Sequence, residues 1–343
     1  MIQVGVIGCG KIAQTRHLPE YADHAQVNIA AVYDLDFERA KGVAKTYGAR
    51  ACASVEELLA DKHIEAVSVC VANASHFEVS AAAMRAGKHV LCEKPMAVTL
   101  EQCEEMVRIS EETGRYLMIG HNQRLTKTHL RAKELVSQGE IGKVLSFRTT
   151  FGHSGPESWM IDRSNNWFFD KSRAQFGALA DLGVHKTDLI QFLTGKRIRK
   201  VTAKLNTLHK TDDAGKKLDV DDHAVCIYEM EDGIVGTMTA GWTYYGREDN
   251  STVLYGTEGI MYIYCDENFS IVIEKKDGSR VCHQIDRIQT NTDQTKSGII
   301  DAWVACLLEK KQPGISGAEA LSAMKAIFAA SESSRTGRTV EVK

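Results

Sequence analysis

The sequence predicts an α/β chain of two domains: a doubly wound parallel sheet over residues 1–122, then an α+β domain over 123–343 built on a large, mostly antiparallel sheet. Three observations carry this. Short apolar strands alternate with helical patterns through the first third of the chain, a glycine turn follows the first strand at once, and from about Arg124 strand-like runs succeed one another with short turns between them. A length of 343 residues also exceeds one ordinary core.

Val4 to Ile7, Asn28 to Tyr33, Ala66 to Val71, Val90 to Cys92 and Tyr116 to Ile119 read as strands, with helices near 11–22, 36–47, 76–86 and 99–113 between them. Strands separated by helices pair in parallel through right-handed crossovers. Gly8-Cys9-Gly10-Lys11-Ile12-Ala13 lies between the first strand and the first helix. There, glycines let the backbone approach a pyrophosphate, and the helix N-terminus meets its charge. The alternative is a purely structural turn. Asp34, closing the second strand, decides for a dinucleotide, because a carboxylate at that place accepts from the adenosine ribose hydroxyls. The following Leu35-Asp36-Phe37-Glu38 adds carboxylates and no adjacent cation, which favours NAD over NADP; Arg39 is the residue placed to swing in.

In an open α/β sheet the ligand crevice lies outside the carboxyl ends of the strands. Val71-Ala72-Asn73-Ala74-Ser75-His76 falls at such an end, where Asn73 suits the ribose or the cofactor amide and His76 suits a helix cap or the cofactor. Glu93-Lys94-Pro95 falls at another and delivers an ammonium group to the crevice. Alone, it reads equally as a strand-ending charge followed by a loop proline.

The second half starts with a helix near 126–138 and the alternating run Val144 to Phe151, and continues through strands near 199–208, 222–231, 234–242, 251–256, 260–265, 269–275 and 280–285. Turn signals such as Glu231-Asp232-Gly233 and Lys276-Asp277-Gly278 make these largely antiparallel. Helices near 293–310 and 316–334 close the chain, and they are expected to pack back on the first domain. Between the strands, residues 178–188 have helical character. Asp181 and His185, four apart, share a face, and Asp188 extends the row. This pattern suits a carboxylate and an imidazole that orient a hydroxyl and take its proton, a local polar pair, or a metal site. The dinucleotide turn decides among these, since oxidising an alcohol with a nicotinamide requires a hydride acceptor and a proton acceptor and no metal.

A formal charge of -3 supplies no basic field for nucleic acid, and no run of like charge suggests a tail or a membrane patch. Apolar segments are short and broken by charge, and the N-terminus enters a strand without a signal-peptide pattern. Nine scattered cysteines, with no pair at metal-knuckle spacing, fit reduced thiols and a cytoplasmic location.

Gly8 to Ala13, Asn73-Ala74-Ser75-His76, Ala86 to Pro95, Gly139-Glu140-Ile141-Gly142 and Asp181-Leu182-Gly183-Val184-His185 together resemble the Gfo/Idh/MocA oxidoreductases, the family of glucose-fructose oxidoreductase and inositol dehydrogenase. The resemblance runs along most of the chain and is far more specific for the family than for a substrate. It implies a Rossmann domain followed by an open-faced sheet domain, assembled through those sheets into a homodimer or homotetramer. Gly8, Gly10, Lys11, Ile12, Asp34, Asn73, His76, Glu93 and Lys94 would then face the cofactor. Lys94 would polarise the reacting hydroxyl, Asp181 orient the substrate and His185 act as general acid/base, with a cis bond before Pro95. Two departures stand out: Arg173-Ala174-Gln175-Phe176-Gly177-Ala178 replaces the family's glycine run, and Ala72 replaces a proline.

Arg124, His153, Trp167 and Tyr244 are the candidates for substrate specificity. Ordinary packing is the alternative for Trp167 and its neighbouring phenylalanines, and an oligomer interface for Tyr244. The implied function is an NAD-dependent dehydrogenase acting on a secondary hydroxyl of a sugar, glycoside or cyclitol. The rivals are a glycoside-cleaving enzyme that oxidises its substrate transiently, and a non-catalytic regulator, which the joint presence of Lys94, Asp181 and His185 disfavours.

Overall fold

Ile2–Ile7 (β1) is buried on both faces, as its nearly unbroken apolar run requires. Val27–Tyr33 (β2), Arg50–Ala51 (β3), Ala66–Val69 (β4), His89–Cys92 (β5) and Leu117–Ile119 (β6) join it in the order β3-β2-β1-β4-β5-β6. Every pairing in this sheet is parallel. The computed structural model describes residues 1–158, 160–161, 166–212, 214–287 and 296–343.

Leu18–Ala22 (α1), Phe37–Tyr47 (α2), Val55–Ala60 (α3), His76–Arg85 (α4) and Leu100–Thr113 (α5) supply the crossovers. Their ends carry the local chemistry of caps: Asp36 accepts from the Glu38 and Arg39 amides, Ser54 from Glu57 and Thr99 from Gln102, while Gly48 and Gly114 close α2 and α5 in the left-handed conformation. The expected first helix, 11–22, is interrupted by a π-helical segment at Ala13–His17. The sequence reading contained neither β3 nor α3, whose two and six residues are too short for a hydrophobic period to register.

Strand order reverses between β1 and β4, which opens the crevice at the carboxyl ends. Gly8, Asn73, Lys94 and His121 follow β1, β4, β5 and β6 and so arrive at one edge.

The second sheet begins after Lys127–Ser137 (α6). Its strands are Val144–Gly152 (β7), Ile198–Asn206 (β8), His223–Met230 (β9), Val235–Gly241 (β10), Thr252–Gly256 (β11), Gly259–Ile263 (β12), Ile271–Lys275 (β13), Arg280–His283 (β14) and Val340–Glu341 (β15). They run in the order β14-β13-β12-β11-β7-β10-β9-β8-β15. Among the described residues only the β7–β10 pair is parallel, so the sheet is mostly antiparallel as expected.

Between β7 and β8 lie the short helix Lys171–Ala174 (α7), a π-helical segment Leu179–Gly183 and the helix Val184–Thr194 (α8). Ile299–Glu309 (α9) and Gly317–Thr336 (α10) close the chain; residues 293–295 of the expected helix 293–310 lie outside the described residues. Ile299, Ile300, Trp303 and Val304 of α9 join the core of β1, β2 and α1, and α10 packs against both β8 and α5. The first residue of α10, Gly317, packs on β6: a Cβ there would lie 2.6 Å from the Leu117 Cδ2, so a larger residue would push that side chain aside. One face of the second sheet carries α8 and α10, while the other alternates outward: Val225 and Ile227 of β9 are 38% and 45% exposed, and Cys226 and Tyr228 between them are buried.

Candidate active site

The glycine turn has the shape a dinucleotide needs. Gly8 sits at φ +94°, and a Cβ there would lie 2.5 Å from the Cys70 carbonyl oxygen. Gly10 has nothing within 4 Å of its Cβ position, so its missing side chain leaves open approach to the backbone. The Cys9 amide donates to Asp34 Oδ2 at 2.7 Å, which fixes the buried carboxylate at the strand end beside the turn.

One expectation is corrected here. Arg39 is an adjacent cation: its Nη1 lies 3.0 Å from Asp34 Oδ1, and its Nη2 lies 3.4 Å from Asp36. The helical turn that carries Asp36 and Arg39 folds the guanidinium back onto the carboxylate.

A cavity of about 110 Å³ opens beside the turn, with Lys11, Ile12, Asn73, Lys94, Asp181 and His185 among its lining. Lys94 Nζ donates to both the carbonyl oxygen and Oδ1 of Asp181, each at 2.9 Å, and so joins the end of β5 to the segment leading into α8. The Trp242 indole donates to Asp181 Oδ2 at 3.0 Å, and His153 Nε2 lies 3.9 Å from the same oxygen. Burial raises the Asp181 pKa, but Lys94, His153 and Trp242 outweigh it and hold the carboxyl below its ordinary value. His185, one turn further along, packs edge-on to His121 with ring centroids 6.1 Å apart and lies 6.0 Å from Phe151. Burial, reinforced by Lys94 and His121, drives its pKa well below that of a free imidazole. Among the described residues its buried Nδ1 has no hydrogen-bond partner. The result is a neutral base beside an ammonium-carboxylate pair.

A second layer holds Lys94 in place. Glu93 accepts from His17 Nε2 at 2.9 Å, from the Lys94 amide at 3.2 Å and lies 3.6 Å from Arg16. Burial opposes its ionisation, yet His17, Arg16 and Lys94 bring its pKa down to about 2. His17 Nδ1 continues through Ser68 Oγ to the Tyr21 hydroxyl, at 3.0 and 2.8 Å. His76 opens α4 without capping it; its ring nitrogens meet the Pro95 and Val71 carbonyls at 2.7 and 3.1 Å and tie two loops of the crevice together. Asn73 Nδ2 donates to the Ala174 carbonyl at 3.2 Å. The Lys94-Pro95 bond is cis.

Two of the four specificity candidates line the cavity: His153, and Trp167 stacked on Phe168 at 3.9 Å. The structure does not bring the other two there. Arg124 is buried in a two-pronged ion pair with Asp188, at 2.6 Å for each contact, and reaches Glu319 at 3.2 Å. Asp188 therefore turns away from the row expected to continue Asp181 and His185. Tyr244 covers Gly152, whose Cβ position lies 2.5 Å from the ring, and it is absent from the cavity lining.

The sequence reading missed His121, Phe176, Asp221 and Trp242. His121 carried a usable signal, since it follows β6 at the same edge as Lys94. Asp221 works at a distance from the cavity: its carboxylate accepts from the Gly177 and Leu179 amides at 2.8 and 2.7 Å, and its carbonyl accepts from Ala178 at 2.8 Å. It thereby fixes the start of the segment that carries Asp181.

Comparison with known proteins agrees with this architecture. Residues 2–121 match the GFO_IDH_MocA model, described as an oxidoreductase family with an NAD-binding Rossmann fold, and residues 129–262 match the GFO/IDH/MocA C-terminal domain. The levoglucosan dehydrogenase of Pseudarthrobacter phenanthrenivorans is 30% identical over 221 residues, covering 59% of this chain and 56% of that protein. The myo-inositol 2-dehydrogenase of Thermotoga maritima is 24% identical over 343 residues, covering 100% of this chain and 99% of that one. Among solved structures, an oxidoreductase domain protein from Kribbella flavida superposes with a TM-score of 0.87 at 25% identity, over 100% of this chain and 99% of the other.

Proposed function

The chain belongs to the GFO/IDH/MocA oxidoreductase family, and from that premise we propose that it is an NAD-dependent dehydrogenase acting on a secondary hydroxyl of a sugar, glycoside or cyclitol. One observation carries the reading. Lys94 at the end of a first-sheet strand meets Asp181 at 2.9 Å, beside a His185 held neutral, in a cavity that reaches the dinucleotide turn at Lys11 and Ile12. Gly8, Gly10, Lys11, Ile12 and Asp34 would hold the cofactor, and Asn73 would meet its nicotinamide half. Bound NAD supplies the hydride acceptor. The rest of the chemistry belongs to the chain: Lys94 polarises the substrate hydroxyl, Asp181 orients it, and His185 takes its proton. His76 and Glu93 act by holding the Lys94 loop.

A screen of sugars, glycosides and cyclitols with NAD, and of their keto forms with NADH, tests this reading. NADH formation with a member of these classes is the expected result, and its absence across all of them, with NADH still bound, would overturn the proposal.

NAD is the cofactor, with NADP disfavoured by the charge of Asp34. Because Arg39 already stands against that carboxylate, Asp34→Ser frees its guanidinium of the shorter of its two ion pairs, leaving Asp36 at 3.4 Å, and makes it available to a 2′-phosphate. The expected result is a shift of about tenfold or more in the ratio of NADP to NAD dissociation constants, since a like-charge clash is replaced by an ion pair. Fluorescence titration reads it, and an unchanged ratio would remove Asp34 as the ribose ligand.

We divide the chain into a cofactor domain, 1–122, and a substrate and assembly domain, 123–343. The uncovered face of the second sheet, with Val225, Ile227 and Val235 exposed, supports a homodimer or homotetramer formed through it. Ile227→Lys is expected to shift sedimentation toward the monomer; an unaltered profile would place the interface elsewhere. A cytoplasmic setting suits nine free cysteines, six of them buried, and no helix among the described residues is long and apolar enough to cross a membrane.

A further inference from the structure

The cavity is divided by charge. Its first-domain side carries Lys11, Arg16 and Lys94, of which Arg16 and Lys94 face Glu93 and Asp181 at 3.6 and 2.9 Å, while Lys11 stands on the dinucleotide turn. The facing wall is made by Phe151, His153, Trp167, Phe168, Phe176 and Leu182, and among the described residues that line it there is no lysine or arginine. Among the described residues, no lysine or arginine on this wall is placed to meet a phosphate or carboxylate that gives up its hydration there.

Phe176 is held on this wall by a turn with little freedom. Gln175 before it sits at φ 69°, ψ -52°, a γ-turn-like conformation that a non-glycine residue rarely adopts. Its amide donates to the Lys171 carbonyl at 2.9 Å. Gly177 after it has no room for a side chain, because a Cβ would lie 1.8 Å from the Asp221 carbonyl oxygen. Asp221 binds the amides of residues 177, 178 and 179, and Asn73 binds the Ala174 carbonyl from the cofactor side. Phe328 supports the Phe176 ring edge-on at 5.8 Å. Backbone strain persists only where surrounding contacts over-determine it, and it gathers at ligand clamps. Where the family has a run of glycines, this loop is tied by hydrogen bonds at residues 174, 175, 177, 178 and 179 and presents a ring.

We propose that Phe176, with Phe151 and the stacked Trp167 and Phe168, forms an apolar subsite that selects neutral glycosides carrying an apolar aglycone over phosphorylated or unsubstituted sugars. This rests on the dehydrogenase reading and deepens it. A pyranose ring offers one apolar C–H face and is satisfied by a single aromatic platform. Four aromatic rings line one cavity, two of them stacked on each other, and an aryl or alkyl aglycone matches the rings beyond the one that takes the C–H face. His153 and Asp181, at the border of this wall, remain for the sugar hydroxyls.

The test compares kcat/KM for phenyl and methyl glycosides of glucose and galactose, in both anomers, with that for glucose 6-phosphate, in the wild type, Phe176→Leu and Phe176→Gly. The wild type is expected to favour a phenyl over the matching methyl glycoside by about tenfold, the scale of one added apolar contact in a pocket. Glucose 6-phosphate should be the poorest substrate. Both variants should lower the phenyl-to-methyl ratio through a raised KM for the phenyl glycoside, while NADH titration of each variant reports an intact cofactor site. A wild-type ratio near one, a preference for the phosphate, or variants that bind NADH as the wild type does and keep the ratio unchanged would overturn the subsite and leave the dehydrogenase standing. Failure to oxidise any sugar, glycoside or cyclitol while NADH binds would overturn both.

Discussion

Lys94→Ala is expected to lower kcat by about two to three orders of magnitude, the combined scale of a lost proton-transfer assistant and a lost electrostatic donor. Lys94 Nζ is the only group that touches Asp181 from the first domain among the contacts described, so its loss removes the polarising charge and also frees the carboxylate of its cross-domain partner. NADH binding should survive, because the dinucleotide turn is built by Gly8, Gly10 and Asp34 and shares no hydrogen bond with the Lys94 side chain. Pre-steady-state turnover, with NADH titration as the control, separates the two. An enzyme that kept most of its turnover would remove Lys94 from the chemistry.

His185→Asn is the second large effect, with a loss in kcat of about two orders of magnitude or more for a missing general base. The pH profile makes the claim sharper. Oxidation needs the neutral imidazole, and burial with Lys94 and His121 nearby places the His185 pKa well below 6.5. Lowering the pH therefore leaves oxidation unaffected through 6.5 and removes the base only well below it, where the imidazole takes a proton. Ketone reduction, which needs the imidazolium, runs the other way and rises as pH falls through the same window. In His185→Asn the acid limb of oxidation should vanish. A limb centred above 6.5, or one that persists in the variant, would assign the proton to another group.

Legibility in the sequence followed the range of the interactions. Gly8, Gly10 and Asp34 were readable because strand, turn, helix and acid lie within one βαβ unit, and the pairing that matters, Cys9 to Asp34, is local to it. The sheets were readable because apolar alternation and turn residues are local as well. Lys94 and Asp181 lie 87 residues apart, and nothing in either segment alone says that they meet; the resemblance to a family supplied that link. Arg124 shows the opposite failure. It was a candidate for substrate specificity, but Asp188 and Glu319, 64 and 195 residues away, claim it in a buried ion pair. Tyr244 was drawn off by the open space above Gly152.

Arg39 stood in view at the right helical position, yet whether it would turn toward Asp34 depended on its rotamer, which a sequence pattern does not reveal. Asp221 was invisible for a related reason, and the Phe176 segment stood out only as a departure from the family's glycine run. An acid before a strand and a phenylalanine in a loop are common, and their roles come from a three-amide clamp and a strained turn that exist only in three dimensions.

The central claim is that this cavity oxidises a neutral polyol and leaves the electrons on NAD. The rival is an enzyme that oxidises a glycoside transiently, eliminates the aglycone and takes the hydride back. Incubating the protein with NAD and a chromogenic aryl glycoside, and following NADH and free aglycone together, separates the two most directly. The dehydrogenase reading predicts NADH accumulating in step with the oxidised glycoside, with the aglycone retained. Release of aglycone without net NADH would contradict it.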